Sequence, residues 1–196
     1  MKIYDLEGEA VDKIKAMGLD LKRSDTPAYI QDFLSDVLDK VLTGANEQEV
    51  MDFIAGFRLE FKKMPGWEKG SPRRVNRLTE YHSREKRKGK VNMPGHVRAA
   101  INWNTLKKVY NDRYSMDIID GQKCIVCKLK DNPMGYTSIA YPTDELRVPE
   151  WFKELPFADD EMESTLINKK LENLIGVLDW DLGASEADNT FDKLFA

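Results

Sequence analysis

Two stretches of apolar residues at helical spacing, separated by a short turn, constrain the fold of this chain most strongly. In the first stretch, Thr26 is a candidate N-cap, Pro27 suits the first helical position and Gly44 ends the pattern. Asn46 and Glu49 have the spacing of a capping box that starts the second stretch. The positions predicted to be buried are Ile30, Phe33, Leu34, Val37, Leu38, Val41, Leu42, Val50, Phe53, Ile54, Phe57 and Phe61. Amphipathic helices joined by so few residues are expected to pack as an antiparallel pair.

The rest of the sequence predicts shorter helices and a small sheet. QKCIVCKL follows a turn at Asp120 and Gly121 and has the composition of a strand, and TSIAYP is a candidate partner strand. MKIYDL at the start of the chain is a further candidate strand. Helices are predicted at residues 72–81, 101–114, 149–155 and 161–178, with an irregular loop after residue 81 and with Met162, Leu166, Leu171, Leu174, Ile175 and Leu178 buried. The sequence therefore predicts a mostly helical α+β domain with a small antiparallel β element.

The two cysteines form a CxxC motif at Cys124 and Cys127, which raises the question of a zinc or redox site. A structural zinc site needs four ligands, and the two histidines, His82 and His96, are distant in sequence. CIVCKL also has the composition of a strand, in which residues three apart point to opposite faces. We interpret both cysteines as ordinary strand residues and predict no metal in this chain.

The sequence shows neither a membrane-spanning segment nor a signal peptide. The sequence contains no run of 18 apolar residues, so no transmembrane helix is predicted. The segment MKIYDLEGEAVDK lacks the apolar core of a signal peptide. We therefore expect a protein that is neither secreted nor embedded in a membrane.

Charge is distributed very unevenly along the chain. The net charge of −4 combines +11 over residues 62–108, which hold 14 Lys and Arg against 3 Asp and Glu, with −6 over residues 1–61 and −9 over residues 142–196. A basic segment between acidic flanks indicates a polyanionic partner for the middle of the chain alone. Within it, eight basic residues fall in the 18 positions from Arg73 to Lys90. Such a strip is typical of nucleic-acid binding, although a solvated charged loop is the alternative.

A second, smaller basic site precedes the first predicted helix. Lys22 and Arg23 lie next to the predicted helix start, where the helix dipole also favours anions. Ordinary surface charge is the alternative interpretation.

No motif in the sequence indicates a self-contained catalytic site. There is no glycine-rich phosphate loop, no GxSxG and no nucleophile paired with a histidine and an acid. Acidic pairs such as Asp159 and Asp160, or Asp179 and Asp181, have contexts that helix capping and solubility explain. A two-metal site would need carboxylates that converge on metals about 4 Å apart. The residues predict a binding protein.

Several segments, in order along the chain, resemble one protein family. YDLEG (residues 4–8), AMGLDLKRSDTP (16–27), VNRLTEY (75–81), PGHVRAAINWN (94–104), DGQKCIVCKLKDNPMGYTSIAYP (120–142) and TFDKLFA (190–196) are similar to the C-terminal part of the family B replicative DNA polymerases of T-even-like bacteriophages. That part comprises the last edge of the palm and the thumb. The resemblance implies a palm edge at residues 1–24, a thumb-like domain at 25–182 and a flexible tail at 183–196.

The resemblance also implies binding residues and partners. The thumb of this family holds primer–template duplex DNA, and the terminal peptide docks on the sliding clamp. Implied DNA contacts are Lys22, Arg23, Arg73, Arg74, Asn76, Arg77, Tyr81, Lys86, Arg87, Lys88, Lys90, His96 and Arg98. Implied clamp contacts are Phe191, Asp192, Leu194 and Phe195. The expected location is the cytoplasm of an infected bacterium.

The sequence departs from this family at its catalytic motifs. The Asp-Thr-Asp-Ser palm motif, the second metal-binding aspartate motif and the exonuclease region are absent, so Mg²⁺ is expected only in the missing palm. The chain is then expected to be inactive alone and to associate with an upstream polymerase portion that carries palm, fingers and exonuclease. It would be either a fragment or one part of a polymerase encoded in two pieces. A freestanding DNA-binding or clamp-interacting accessory protein is the alternative, and a purely structural phage protein leaves the basic strip unexplained.

Overall fold

The computed structural model of the chain describes residues 3–4, 10–11, 20–89 and 91–185. The helices of this part are α1 (Ala28–Leu42), α2 (Glu47–Lys63), α3 (Leu78–Lys88), α4 (Gly95–Val109), α5 (Glu150–Lys153), α6 (Asp159–Glu163) and α7 (Lys169–Ile175). The strands are β1 (Ile3–Tyr4), β2 (Ala10–Val11), β3 (Ser71–Arg74), β4 (Lys123–Lys128) and β5 (Ser138–Pro142). A π-helical turn, Ser164–Asn168, joins α6 to α7, and 3₁₀ turns occupy Asp20–Lys22, Gly66–Lys69, Gly176–Leu178 and Leu182–Ser185. The prediction of a mostly helical α+β fold is confirmed.

Helices α1 and α2 pack as the predicted antiparallel pair. The capping box forms, since Asn46 Oδ1 accepts a hydrogen bond from the Glu49 amide and Glu49 Oε2 accepts one from the Asn46 amide, both at 3.0 Å. Early residues of α1 contact late residues of α2, with ring centroids 6.5 Å apart for Tyr29 and Phe61 and 3.8 Å apart for Phe33 and Phe57. The local signals in the sequence therefore predicted this pair correctly.

The start of α1 differs from the prediction in its cap. Pro27 takes the N-cap position, the helix begins at Ala28, and no side chain in the described part of the chain caps it. The buried Thr26 hydroxyl instead accepts a hydrogen bond from Lys170 Nζ at 2.9 Å. Thr26 therefore links the start of α1 to α7. Two predicted core residues are also exposed, Leu42 at 60% and Leu178 at 36%, because each lies at the end of its helical segment.

The main sheet has the strand order β3-β4-β5 and is antiparallel throughout. The predicted pairing of QKCIVCKL with TSIAYP is confirmed, with Cys124 opposite Pro142 and Lys128 opposite Ser138. β1 pairs with β2 in a separate two-stranded sheet.

The predicted helix at residues 72–81 is wrong in its first half. Residues 71–74 form β3 because they pair with β4, and α3 begins only at Leu78, after Arg77 adopts a left-handed backbone with φ of 60°. Asp120 provides the cap for this helix, since its carboxylate accepts hydrogen bonds from the amides of Leu78 and Thr79. The predicted irregular loop after residue 81 is helical as far as Lys88, and α4 begins at Gly95. A strand partner distant in sequence has overridden the local helical preference.

Two apolar clusters stabilise the fold. One cluster joins the main sheet to α4 and α5, with Trp103 fully buried and in ring contact with Trp151 and Phe152. The other joins α1 and α2 to the π-helical turn and α7. Gly70 is required beside the sheet, because a Cβ atom there would lie 2.4 Å from Ile125 Cγ2.

Both cysteines are buried free thiols in β4, as the strand interpretation predicted. Burial raises the pKa of the Cys124 thiol to about 12 and also raises that of Cys127, so both thiols are protonated at neutral pH. The described residues contain no cluster of three or more His, Cys, Asp or Glu able to hold a metal ion. Among the helices in the same ranges, none is both long and apolar enough to cross a membrane.

Candidate nucleic-acid interface

An open cleft of about 730 Å³ lies between the turn that precedes α1, the ends of β3 and β4, and the amino end of α4. Four basic side chains and one carboxylate line it, so its surface is strongly positive. Its lining residues are Arg23, Ser24, Asp25, Pro72, Arg73, Arg74, Asn76, His96 and Lys123. We call this surface the cationic cleft.

Strand pairing places two of these charges side by side. Arg74 is the residue directly opposite Lys123 in the antiparallel pair of β3 and β4. Like charges in this position repel each other and destabilise a strand pair, and a bound anion would relieve that repulsion. Arg74 Nη1 also donates a hydrogen bond to the Gly121 carbonyl oxygen at 3.1 Å, which fixes the guanidinium at the edge of the sheet. The pair is therefore preorganised for an anionic ligand.

Asp25 holds two further cations in place. Arg23 donates to both Asp25 carboxylate oxygens at 3.1 Å and 3.0 Å, and Arg73 Nη1 donates to Oδ2 at 2.8 Å. Burial raises the pKa of Asp25, but the hydrogen bond from Arg23 and the charges of Arg73, Arg23 and Lys170 outweigh it, so the pKa lies below its ordinary value. Asp25 remains ionised at neutral pH and orients both arginines within the cleft.

His96 lies at the amino end of α4, which no side chain of the described residues caps. Burial and the nearby Arg73 charge lower the pKa of His96 below its ordinary value of 6.5. The imidazole is therefore predominantly neutral at neutral pH. The amide groups of the first helical turn add positive potential on this side of the cleft.

A second basic surface lies along α3, and glutamates of the same helix partly neutralise its charge. Arg77 and Arg84 form exposed ion pairs with Glu80 at 3.1 Å and 3.6 Å. Arg98 lies on α4 and pairs with Glu85 of α3, so it links the two helices. The exposed pairs with Glu80 contribute little to stability and leave Arg77 and Arg84 able to exchange partners.

The structure groups some of the predicted DNA contacts and separates others. Arg23, Arg73, Arg74, Asn76 and His96 meet in the cationic cleft. The residues that do not line it are Lys22, Arg77, Tyr81, Lys86, Arg87, Lys88 and Arg98. Lys90 and the predicted clamp-binding residues Phe191, Asp192, Leu194 and Phe195 lie outside the described residues.

Sequence reasoning missed Lys123 and the organising carboxylate, Asp25. Lys123 is the first residue of β4, which the sequence predicts as a strand. The sequence predicts a helix for the residues of β3, so it does not predict that Arg74 pairs with Lys123. The signal available was the basic residue at the start of QKCIVCKL.

Comparison with known proteins gives one relevant similarity. Over 146 residues the chain is 25% identical to the DNA-directed DNA polymerase of Enterobacteria phage T4. The aligned region covers 73% of this chain and 16% of the phage protein, so the chain spans only a small part of that relative. No protein-family model matches the sequence. The similarity supports a distant relationship to a phage DNA polymerase.

Proposed function

We propose that this chain is the duplex-gripping, thumb-like region of a phage family B DNA polymerase and that it acts in DNA replication. The observation that carries the proposal is the cationic cleft, which Arg23, Arg73, Arg74 and Lys123 line together with a single carboxylate, Asp25. Phosphate groups are the ligands that match such a cluster, because Lys and Arg neutralise them and release counterions. The distant similarity to the phage T4 polymerase supports a role in replication.

The expected mode of binding is independent of base sequence. Guanidinium and ammonium groups on the rim of an open cleft suit the phosphate backbone, and phosphate contacts set position without reading bases. Asn76 supplies an amide that can donate to a sugar or phosphate oxygen. A polymerase needs this property, since it must hold every primer–template that it copies.

Catalysis in this proposal belongs to polymerase regions that carry the metal-binding carboxylates, either on the same polypeptide or on a second one. Mg²⁺ would be held there, and this chain would position the duplex. Residues 1–24, which include the β1–β2 sheet, would form the edge of the palm, and residues 25–182 would form the thumb. Unpaired strand edges favour such an association.

A reconstitution assay tests whether this chain binds the duplex while another polymerase region carries out catalysis. Primer extension should be undetectable with this chain alone and should appear when the catalytic polymerase region is added. The control is the catalytic region by itself, which should extend primers only weakly because it lacks the grip on the duplex. Extension by the lone chain would contradict the proposal. Duplex binding without stimulation of the polymerase would favour a freestanding accessory protein.

We further propose that the terminal peptide tethers the polymerase to the sliding clamp through Phe191, Asp192, Leu194 and Phe195. Burial of three large apolar side chains provides roughly 1.5–3 kcal/mol each, and ordering of the peptide offsets much of it. Deletion of residues 190–196 should abolish clamp-stimulated processivity and leave clamp-free extension unchanged. Thr190→Ala is the matched control and should retain stimulation. Loss of both activities on deletion would show a structural role instead.

A further inference from the structure

A second cavity, of about 370 Å³, adjoins the cationic cleft and shares Arg73 and His96 with it. We call it the α4 pocket. Its size falls in the range of small-ligand sites, which begins at about 300 Å³. The cavity combines apolar and polar walls.

One wall of the α4 pocket is a single face of the main sheet. Ser71 is opposite Val126 and Lys128 is opposite Ser138 in the antiparallel register. Paired residues share a face, as do alternate residues of one strand, so these four side chains lie on the same side of the sheet. The wall therefore places a cation and two hydroxyl groups beside one apolar residue. The structure gives Lys128 no ion-pair partner among the described residues.

The other wall comes from helices. Gly95 and His96 present the uncapped amino end of α4, a helix of 15 residues, whose first amide groups and dipole favour an anion. Met162 of α6 and Leu166 of the π-helical turn provide apolar surface. π-helical turns are frequent at functional sites, because they displace side chains from the regular helical surface.

Ser138 provides a hydroxyl group that faces the pocket and can bond a polar ligand. Ser138 is only 6% exposed, and it lines the cavity. Its hydroxyl has no hydrogen-bond partner among the described residues. Ser138 Oγ is not among the buried polar atoms that lack a partner, so it borders the open space of the cavity and is available to a polar ligand atom.

We propose that the α4 pocket binds a single nucleotide. Arg73, Lys128 and the amino end of α4 hold its phosphate, and the base packs between Val126 and the Met162 and Leu166 side chains. The Ser138 hydroxyl bonds a polar atom of the sugar or the base. This site goes beyond the duplex-gripping role and does not require it, because the ligand is one unpaired nucleotide, either free or in a single strand.

The decisive variant adds a carboxylate at the mouth of the pocket without disturbing the fold. A Cβ atom at Gly95 would meet no heavy atom within 4 Å, and an acidic residue in the first turn stabilises a helix. Gly95→Asp should weaken binding of dAMP by about tenfold through repulsion of its phosphate. Gly95→Ala is the matched control and should bind dAMP as the unmodified chain does.

Calorimetry with dAMP, with deoxyribose 5-phosphate and with a single-stranded tetranucleotide separates the contributions of the base, the sugar phosphate and the strand context to the binding affinity. We expect dAMP to bind more tightly than deoxyribose 5-phosphate, with amide shifts at Gly95, Lys128 and Ser138 in NMR spectra. Lys128→Gln should weaken dAMP binding, whereas Lys130→Gln, an exposed lysine outside the pocket, should not.

Each outcome decides the proposal. Binding of the tetranucleotide alone, lost in Gly95→Asp, assigns the site to a nucleotide within a strand, and binding of dAMP assigns it to a free nucleotide as well. Equal affinity for dAMP and deoxyribose 5-phosphate would overturn the nucleotide assignment, since the base would then contribute nothing. Absence of binding, or binding indifferent to Gly95→Asp, would also overturn it. The reconstitution assay is unaffected by these results, so failure here leaves the proposed function to its own test.

Discussion

Duplex DNA should bind about 100-fold more weakly when Arg74 and Lys123 are both replaced by glutamine, because two charge-assisted phosphate contacts are lost. The two residues face each other across β3 and β4, so their charges repel one another in the free protein. Removal of this repulsion should leave the free energy of unfolding unchanged or slightly raised. A loss of affinity without a loss of stability would identify the pair as ligand-binding. Fluorescence anisotropy with a labelled duplex, alongside urea unfolding, measures both quantities.

The matched control for this experiment removes two charges elsewhere. Lys108 at the end of α4 and Lys130 after β4 are exposed, and neither lines the cationic cleft. Lys108→Gln combined with Lys130→Gln should change duplex affinity far less than the cleft variant does. Equal losses in the two double variants would show that net charge alone drives binding, and the cleft would then have no special role.

The largest effect on stability is expected at Arg58, which is 3% exposed within α2. Its Nη1 group donates to Glu163 Oε1 at 2.9 Å and to Asn168 Oδ1 at 2.7 Å, and its Nε donates to Ser185 Oγ at 3.3 Å. This network connects α2 to α6, to the π-helical turn and to Ser185. Arg58→Ala should lower the free energy of unfolding by about 3–5 kcal/mol, because it leaves the Glu163 carboxylate without its ion-pair partner and removes the hydrogen bonds to Asn168 and Ser185.

Urea unfolding of matched variants checks this prediction. Arg113→Ala, at an exposed arginine, should stay within about 0.5 kcal/mol of the unmodified chain. Glu163→Gln in the Arg58→Ala background should restore part of the loss, since the uncompensated carboxylate is removed. A loss below about 1 kcal/mol for Arg58→Ala would mean that the network is dispensable.

The parts of the fold with local signals were predictable from the sequence. Asn46 and Glu49 cap α2 and are only three residues apart in sequence. The apolar residues of α1 recur at helical spacing within a single segment. Neither signal depends on distant parts of the chain. β4 and β5 were recognised for a similar reason. β3 was not, because Ser-Pro-Arg-Arg carries no strand signal and becomes a strand only by pairing with β4.

The candidate site was predictable in its charge but not in its geometry. The basic strip identified Arg73 and Arg74, whereas the grouping with Arg23, His96 and Lys123 depends on tertiary contacts. A count of basic residues also overstates the positive surface that is available to bind DNA. Glu80 and Glu85 pair with two of the predicted DNA-binding arginines, Arg77 and Arg98, and these pairs become visible only in the folded structure.

The salt dependence of duplex binding tests the central claim most directly. If the cationic cleft binds the phosphate backbone, the logarithm of the association constant should fall linearly with the logarithm of KCl concentration, with a slope of about −3 or steeper. The slope should become shallower by about two in the Arg74→Gln, Lys123→Gln variant, one for each lost phosphate contact. A duplex affinity that does not change with KCl, or a slope that is the same in both proteins, would contradict the account.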